Sequence, residues 1–68
     1  MDYIVEYNGE LTPVEVKWTD RPCVAGARHL LGFRAENQRK ARRGVIVCRC
    51  SRPLQLHDQV AAIPWFCL

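Results

Sequence analysis

The chain has 68 residues, a formal net charge of +3 and a hydrophobic content of 49%. A chain of this length forms one domain at most, here residues 1–68, and buries only about 60% of its unfolded surface, so we expect marginal stability. The hydrophobic content excludes a disordered chain. No apolar run approaches the roughly 20 residues that span a bilayer, and no secretory leader pattern precedes the first strand, so we expect a cytoplasmic protein.

Residues 2–17 predict a β-hairpin. Two runs of alternating polarity flank Asn8-Gly9, and both residues tolerate the positive φ of a tight turn. Side chains alternate across a strand, so Glu15 and Lys17 share one face of the second strand. The opposite face of that strand carries Val14, Val16 and Trp18.

The same hairpin outlines a metal-dependent nuclease site. Asp2 and Glu15 would bind Mg²⁺ or Mn²⁺ if strand pairing brings their carboxylates together. Lys17 would orient the attacking water or stabilise charge on a phosphate. The alternative is that Glu15 and Lys17 belong to the solvated face of an amphipathic hairpin, because acid-x-lysine is common by chance.

The segment from Cys23 to about Arg42 has a helical apolar period and predicts one helix. Thr19 or Asp20 is the expected N-cap, and Gly44 the expected left-handed cap at the other end. The predicted stripe of the helix consists of Val24, Ala27, Leu30, Leu31, Arg34, Ala35 and Gln38.

Residues 44–49 form a continuous β-branched run, which predicts a buried strand parallel to the second strand. Residues 54–59 indicate a short strand or extended segment that leads into residues 60–63, and Pro64 ends that element. The predicted fold is therefore α/β (α+β), with the element order β-β-α-β-β.

A basic run follows the predicted helix: Arg39, Lys40, Arg42 and Arg43. Cations suit a helix C-terminus through the macrodipole, which favours a solvated helix end. The alternative is a nucleic-acid-binding patch that grips phosphates.

The four cysteines also have two interpretations. Cys48, Cys50, His57 and Cys67 would provide four ligands for a tetrahedral zinc ion. The usual spacing of two cysteines separated by two residues is absent, however. The alternative is reduced thiols that act as small buried hydrophobic groups.

Asp-x-x-x-Glu, the Asn-Gly turn and Pro-Val-Glu-Val-Lys before a helix resemble the PD-(D/E)XK nuclease superfamily. More narrowly, the chain looks like the C-terminal domain of uncharacterised function found on many prokaryotic AAA-type ATPases. That resemblance continues through residues 20–22, 27–30, 43–48 and 62–65. It implies metal binding by Asp2 and Glu15 and a catalytic role for Lys17.

The chain departs from the superfamily pattern at its start. The restriction-endonuclease-like core usually opens with a helix and strand ahead of the aspartate, and Asp2 directly follows Met1. A fold without those elements should expose apolar surface, so we expect a homodimer. The chain also has no Gly-x-x-x-x-Gly-Lys-Ser/Thr loop for a nucleotide. We therefore expect a non-catalytic interaction or assembly domain, with a Mg²⁺-dependent nuclease as the alternative.

Overall fold

A computed structural model describes residues 2–67 as one five-stranded sheet with a single α-helix. The strands are β1 (Tyr3–Tyr7), β2 (Glu10–Val16), β3 (Gly44–Cys48), β4 (Leu54–His57) and β5 (Val60–Pro64). The helix is α1 (Arg28–Glu36), and short 3-10 turns span Val24–Ala27 and Trp65–Cys67. The predicted α+β class and the order β-β-α-β-β are confirmed. Within residues 2–67, no helix is long and apolar enough to cross a membrane.

The first hairpin forms as predicted. Asn8 and Gly9 have φ values of +51° and +79°, the left-handed conformations that a tight two-residue turn requires. β1 and β2 pair antiparallel, with Tyr3 opposite Val14 and Tyr7 opposite Glu10. The turn therefore sets which residues of the two strands face each other.

The sheet order is β1-β2-β3-β5-β4. β3 is parallel to β2, as predicted, and also parallel to β5. β4 pairs antiparallel with β5 at the far edge and contains a register shift between Gln55 and His57. The carboxyl ends of β2, β3 and β5 consequently meet at one end of the sheet, which we call the carboxyl end.

The helix is shorter than predicted at both ends. Neither Thr19 nor Asp20 caps it; the Thr19 hydroxyl instead accepts a hydrogen bond from the Arg21 N–H at 3.1 Å in the preceding turn. At the other end, the Asn37 side chain donates to the carbonyl oxygen of Phe33 at 2.9 Å. This bond satisfies a terminal helix carbonyl, so the helix stops well before the basic run.

Gly44 has a packing role and does not cap the helix. It opens β3, where a Cβ would lie 3.1 Å from the Leu30 Cβ. The helix can therefore approach the sheet closely only because residue 44 lacks a side chain. The core between helix and sheet consists of Ala27, Leu30, Ile46, Cys48, Cys50, Val60 and Ala62.

Candidate functional site

The hairpin brings the two predicted metal-binding acids to the same end of the sheet. Paired residues of β1 and β2 run from Tyr3 opposite Val14 to Tyr7 opposite Glu10. Asp2 lies one residue before this register, beside the end of β2 that carries Glu15. Glu15 is buried and pairs with Ile46 of β3, whereas Asp2 is exposed.

Lys17 lies beside Glu15. Its Nζ is 3.9 Å from Glu15 Oε2, and the Glu15 side chain is almost buried whereas that of Lys17 is 42% exposed. The Lys17 backbone N–H donates to the Val47 carbonyl at 2.9 Å. This bond continues the parallel ladder and holds the lysine at the carboxyl end of the sheet.

The Asp2 carboxylate also has a structural partner. Its Oδ2 accepts a hydrogen bond of 2.7 Å from the Val16 N–H, while the Asp2 N–H donates to the Val14 carbonyl at 2.9 Å. One carboxylate oxygen of Asp2 therefore closes the end of the hairpin. Because Mg²⁺ is often held by one or two carboxylates with waters in its remaining positions, the pair Asp2 and Glu15 is compatible with this metal.

A pocket of about 330 Å³ opens next to Lys17 at the carboxyl end. It is large enough for a small ligand group, and its lining combines two cationic side chains, Lys17 and Arg21, with apolar walls. Its lining includes Lys17, Trp18, Arg21, Pro22, Gly26 and Ile46.

The basic run lies at the other end of the sheet. The Lys40 carbonyl accepts a hydrogen bond of 2.7 Å from the N–H of Leu11, at the start of β2. Arg43 directly precedes β3. Arg39, Lys40, Arg42 and Arg43 are all exposed. The structure therefore brings Asp2, Glu15 and Lys17 together at one end of the sheet and leaves the basic run at the opposite end.

The zinc set predicted from Cys48, Cys50, His57 and Cys67 does not assemble. Across residues 2–67, no three His, Cys, Asp or Glu side chains come close enough together to hold a metal ion. The four side chains do not meet because Cys48 and Cys50 belong to the core under α1 whereas His57 and Cys67 are exposed. All four thiols are free.

Three aromatic side chains and one arginine meet at the carboxyl end, an association that the sequence analysis did not predict. We call Trp18, Arg49, Trp65 and Phe66 the edge cluster. The Trp18 and Trp65 ring centroids are 6.3 Å apart, and those of Trp65 and Phe66 are 5.9 Å apart. The Arg49 guanidinium lies 5.5 Å from the Trp18 ring centroid, within cation–π range. The available signal was that Arg49 and Trp65 directly follow strands and that Trp18 lies two residues beyond one.

One face of the sheet is left open. Its residues, which we call the open face, are Tyr3, Val5, Tyr7, Val14, Val16, Val45, Ala61 and Ile63. Val47 points to the same side but is only 3% exposed. Helix α1 packs on the opposite face, against Ile46. Tyr3, Val5 and Tyr7 remain 53–75% exposed. Apolar side chains are therefore concentrated on a surface that α1 does not cover.

These features define a small α+β domain with a mixed five-stranded sheet that one helix covers. At the carboxyl end of the sheet lie Asp2, Glu15 and Lys17, which we call the acid–lysine group. The chain belongs to the family described as domain of unknown function DUF4143, whose model matches residues 1–68. No curated protein and no solved structure matches it. The family assignment defines relatedness and leaves the activity open.

Proposed function

We propose that this chain is a non-catalytic interaction and assembly domain, of nuclease-like ancestry and related to the C-terminal domains of prokaryotic AAA-type ATPases. Its partner in this proposal is a second copy of the chain. The resemblance of residues 2–17 to the PD-(D/E)XK motif supports the ancestry. The observation that carries the proposed role is the open face, on which β1 exposes Tyr3, Val5 and Tyr7 by 53–75%.

The exposed apolar area would supply a large part of a stable interface. Tyr3, Tyr7, Trp18 and Trp65 are 53–75% exposed. An aromatic side chain has about 150–250 Å² to bury, so these four alone present about 500 Å². The largest apolar patch of a typical monomer is about 300–600 Å², and a standard interface buries about 800 Å² per partner. Val5 and Val16, which are 53% and 40% exposed, add to this area, which amounts to more than half of the area that one partner of a standard interface buries.

The open face is also self-complementary. A depression of about 440 Å³ lies on its β3–β5–β4 side, lined by Val45, Gln55, Ala61 and Ile63, whereas the tyrosines of β1 project at the other side. A two-fold axis parallel to the strands, in the plane between two such faces, sets β1 of one copy over the β5–β4 side of the other. This is the isologous arrangement that a symmetric dimer requires.

Charge distribution supports the same arrangement. Glu10, at the start of β2, and Arg43, just before β3, are exposed and lie at the same end of the strands. Rotation about an axis parallel to the strands keeps both residues at that end and reverses the left-to-right order of the strands in the facing copy. Glu10 of one copy would then approach Arg43 of the other, which favours this register.

The first test compares Val5→Lys with Ile4→Lys by sedimentation equilibrium. These neighbours on β1 are 53% and 49% exposed but face opposite sides of the sheet. A buried interfacial lysine should weaken dimerisation at least tenfold in Val5→Lys, whereas Ile4→Lys should dimerise as the wild type does. A monomeric wild type across the micromolar range, or equal weakening by both variants, would refute the assembly proposal.

A charge exchange then tests the register. Glu10→Arg and Arg43→Glu should each weaken the dimer, and the double variant should recover most of the lost affinity. Recovery is the expected result because the pair is restored with reversed polarity. Additive weakening in the double variant would rule out contact between these two residues.

A second candidate function is Mg²⁺-dependent phosphodiester hydrolysis. The observations that favour it are the bond of the Asp2 carboxylate to the Val16 N–H, next to Glu15 in the chain, and the 3.9 Å separation of Lys17 Nζ from Glu15 Oε2. A bound Mg²⁺ or Mn²⁺ would polarise a phosphoryl oxygen. Lys17 would stabilise negative charge beside it, and the exposed basic run would hold nucleic acid at the far end of the sheet.

Amide chemical shifts during a Mg²⁺ or Mn²⁺ titration test this alternative. Saturable shifts centred on Asp2 and Glu15, abolished in Glu15→Gln and retained in Glu6→Gln, would support a metal site. DNA and RNA cleavage by the wild type and by Lys17→Ala would then be measured. Unchanged shifts at millimolar metal would exclude the catalytic function and leave the assembly proposal intact.

A further inference from the structure

Two thiols in the core lie in direct contact. The sulfur atoms of Cys48 and Cys50 are 3.0 Å apart, and their residues are 0% and 4% exposed. Cys48 ends β3, and Cys50 follows one residue beyond it. Both thiols belong to the core cluster that includes Leu30 of α1. Neither thiol belongs to the acid–lysine group or to the open face.

We propose that Cys48 and Cys50 form a reversible intramolecular disulfide site, with a small-molecule disulfide such as oxidised glutathione as the oxidant. A disulfide bond is about 2.05 Å long, so the two sulfurs need to approach by only about 1 Å. The resulting ring encloses a single intervening residue, Arg49. The cysteine pair lies outside the open face, so this proposal does not rest on the assembly function proposed above.

The reaction balances as two thiol–disulfide exchanges. The Cys50 thiolate attacks one sulfur of oxidised glutathione, and the first glutathione leaves as its thiolate. Cys48, as the thiolate, then attacks the Cys50 sulfur of the mixed disulfide and releases the second glutathione. The two protons of the protein thiols end on the two released glutathione molecules. Two electrons pass from the cysteine pair to glutathione.

Burial makes this reaction slow and dependent on pH. Desolvation, followed by the hydrogen bond and charge of Cys48, raises the pKa of the Cys50 thiol. Only the thiolate attacks a disulfide. The oxidation rate should therefore rise about tenfold per pH unit between about pH 6.5 and 8.

Disulfide formation should also disturb the edge cluster. Arg49 lies between the two cysteines; its N–H donates to the Thr19 carbonyl at 2.7 Å, and its guanidinium lies 5.5 Å from the Trp18 ring centroid. Closing a small ring around Arg49 changes its backbone and so its position over Trp18. Both tryptophans of the chain belong to this cluster, so intrinsic fluorescence reports on it directly.

The test treats the folded chain with oxidised glutathione and maps the bonds by mass spectrometry. The double variant Cys23→Ser/Cys67→Ser keeps only the proposed pair. It should lose the mass of two hydrogen atoms, remain free of bound glutathione, change its tryptophan emission and revert with dithiothreitol. The matched variant Cys50→Ser should show neither the mass loss nor the emission change.

Three outcomes would overturn the proposal. One is a wild-type bond between Cys50 and Cys67. Another is a stable glutathione adduct on Cys50. The third is no oxidation of the folded double variant under conditions in which the same variant, unfolded in urea, forms the Cys48–Cys50 bond. The unfolded sample shows that the reagent is competent, so a negative result in the folded chain is decisive.

Discussion

The backbone N–H of Val16 donates a hydrogen bond of 2.7 Å to the carboxylate of Asp2. The first acid of the candidate metal pair thus also closes the open end of the hairpin. A contribution to stability can be separated from any contribution to metal binding because the bond uses Oδ2 alone.

Asp2→Ala should lower the free energy of unfolding by about 1 kcal/mol, the usual net contribution of such a hydrogen bond. Asp2→Asn keeps an acceptor oxygen and should lose less. Urea denaturation without metal measures both effects. Glu6→Ala, on the same face of β1, serves as the control and should stay within about 0.5 kcal/mol of the wild type. Equal stability of Asp2→Ala and wild type would show that the bond contributes nothing.

The close approach of α1 to β3 predicts opposite effects at two glycines. In Gly44→Ala the new Cβ would lie 3.1 Å from the Leu30 Cβ, so overpacking should destabilise the fold by about 1–3 kcal/mol. In Gly32→Ala nothing lies within 4 Å, and the higher helix propensity of alanine should stabilise α1 by about 0.5–1 kcal/mol. Thermal unfolding of both variants checks the prediction. A stabilised Gly44→Ala would contradict the packing described here.

The hairpin turn provides a test of backbone strain without any steric contact. Gly9 has a φ of +79°, and nothing lies within 4 Å of a Cβ there. Gly9→Ala should therefore cost about 1–3 kcal/mol from conformation alone. Asn8→Gly, at the neighbouring φ of +51°, should change stability by less than about 0.5 kcal/mol. Urea denaturation distinguishes the two; equal losses would argue against this turn.

The buried thiol of Cys50 predicts an alkaline loss of stability. Its pKa is raised in the folded chain, so the unfolded chain loses this proton at lower pH. The contribution of the Cys50 thiol to the free energy of unfolding should be constant below about pH 8 and decline as pH rises above about 8.5. The measurement is the difference in unfolding free energy between wild type and Cys50→Ala across this range. The exposed Cys23→Ala should retain the decline, and a pH-independent difference would refute the assignment.

Local pattern in the sequence determined the hairpin, the strands and the acid–lysine group. Asn8-Gly9 specifies a tight turn, and alternation of side chains along β2 decides that Glu15 and Lys17 project to the same side. The β-branched residues of β3 likewise predict a strand from their own preferences. These features depend on neighbours along the chain or across one short turn.

Tertiary structure alone decided where the helix ends, which residues meet at each end of the sheet and which face stays open. The Asn37 side chain donates to the Phe33 carbonyl at the end of α1, and the apolar periodicity of the sequence does not predict this helix end. The separation of Arg43 from Lys17, the contact of Trp18 with Trp65 and the exposure of Val5 all follow from strand order and direction. Those depend on packing between segments distant in sequence, so a local pattern carries little information about them.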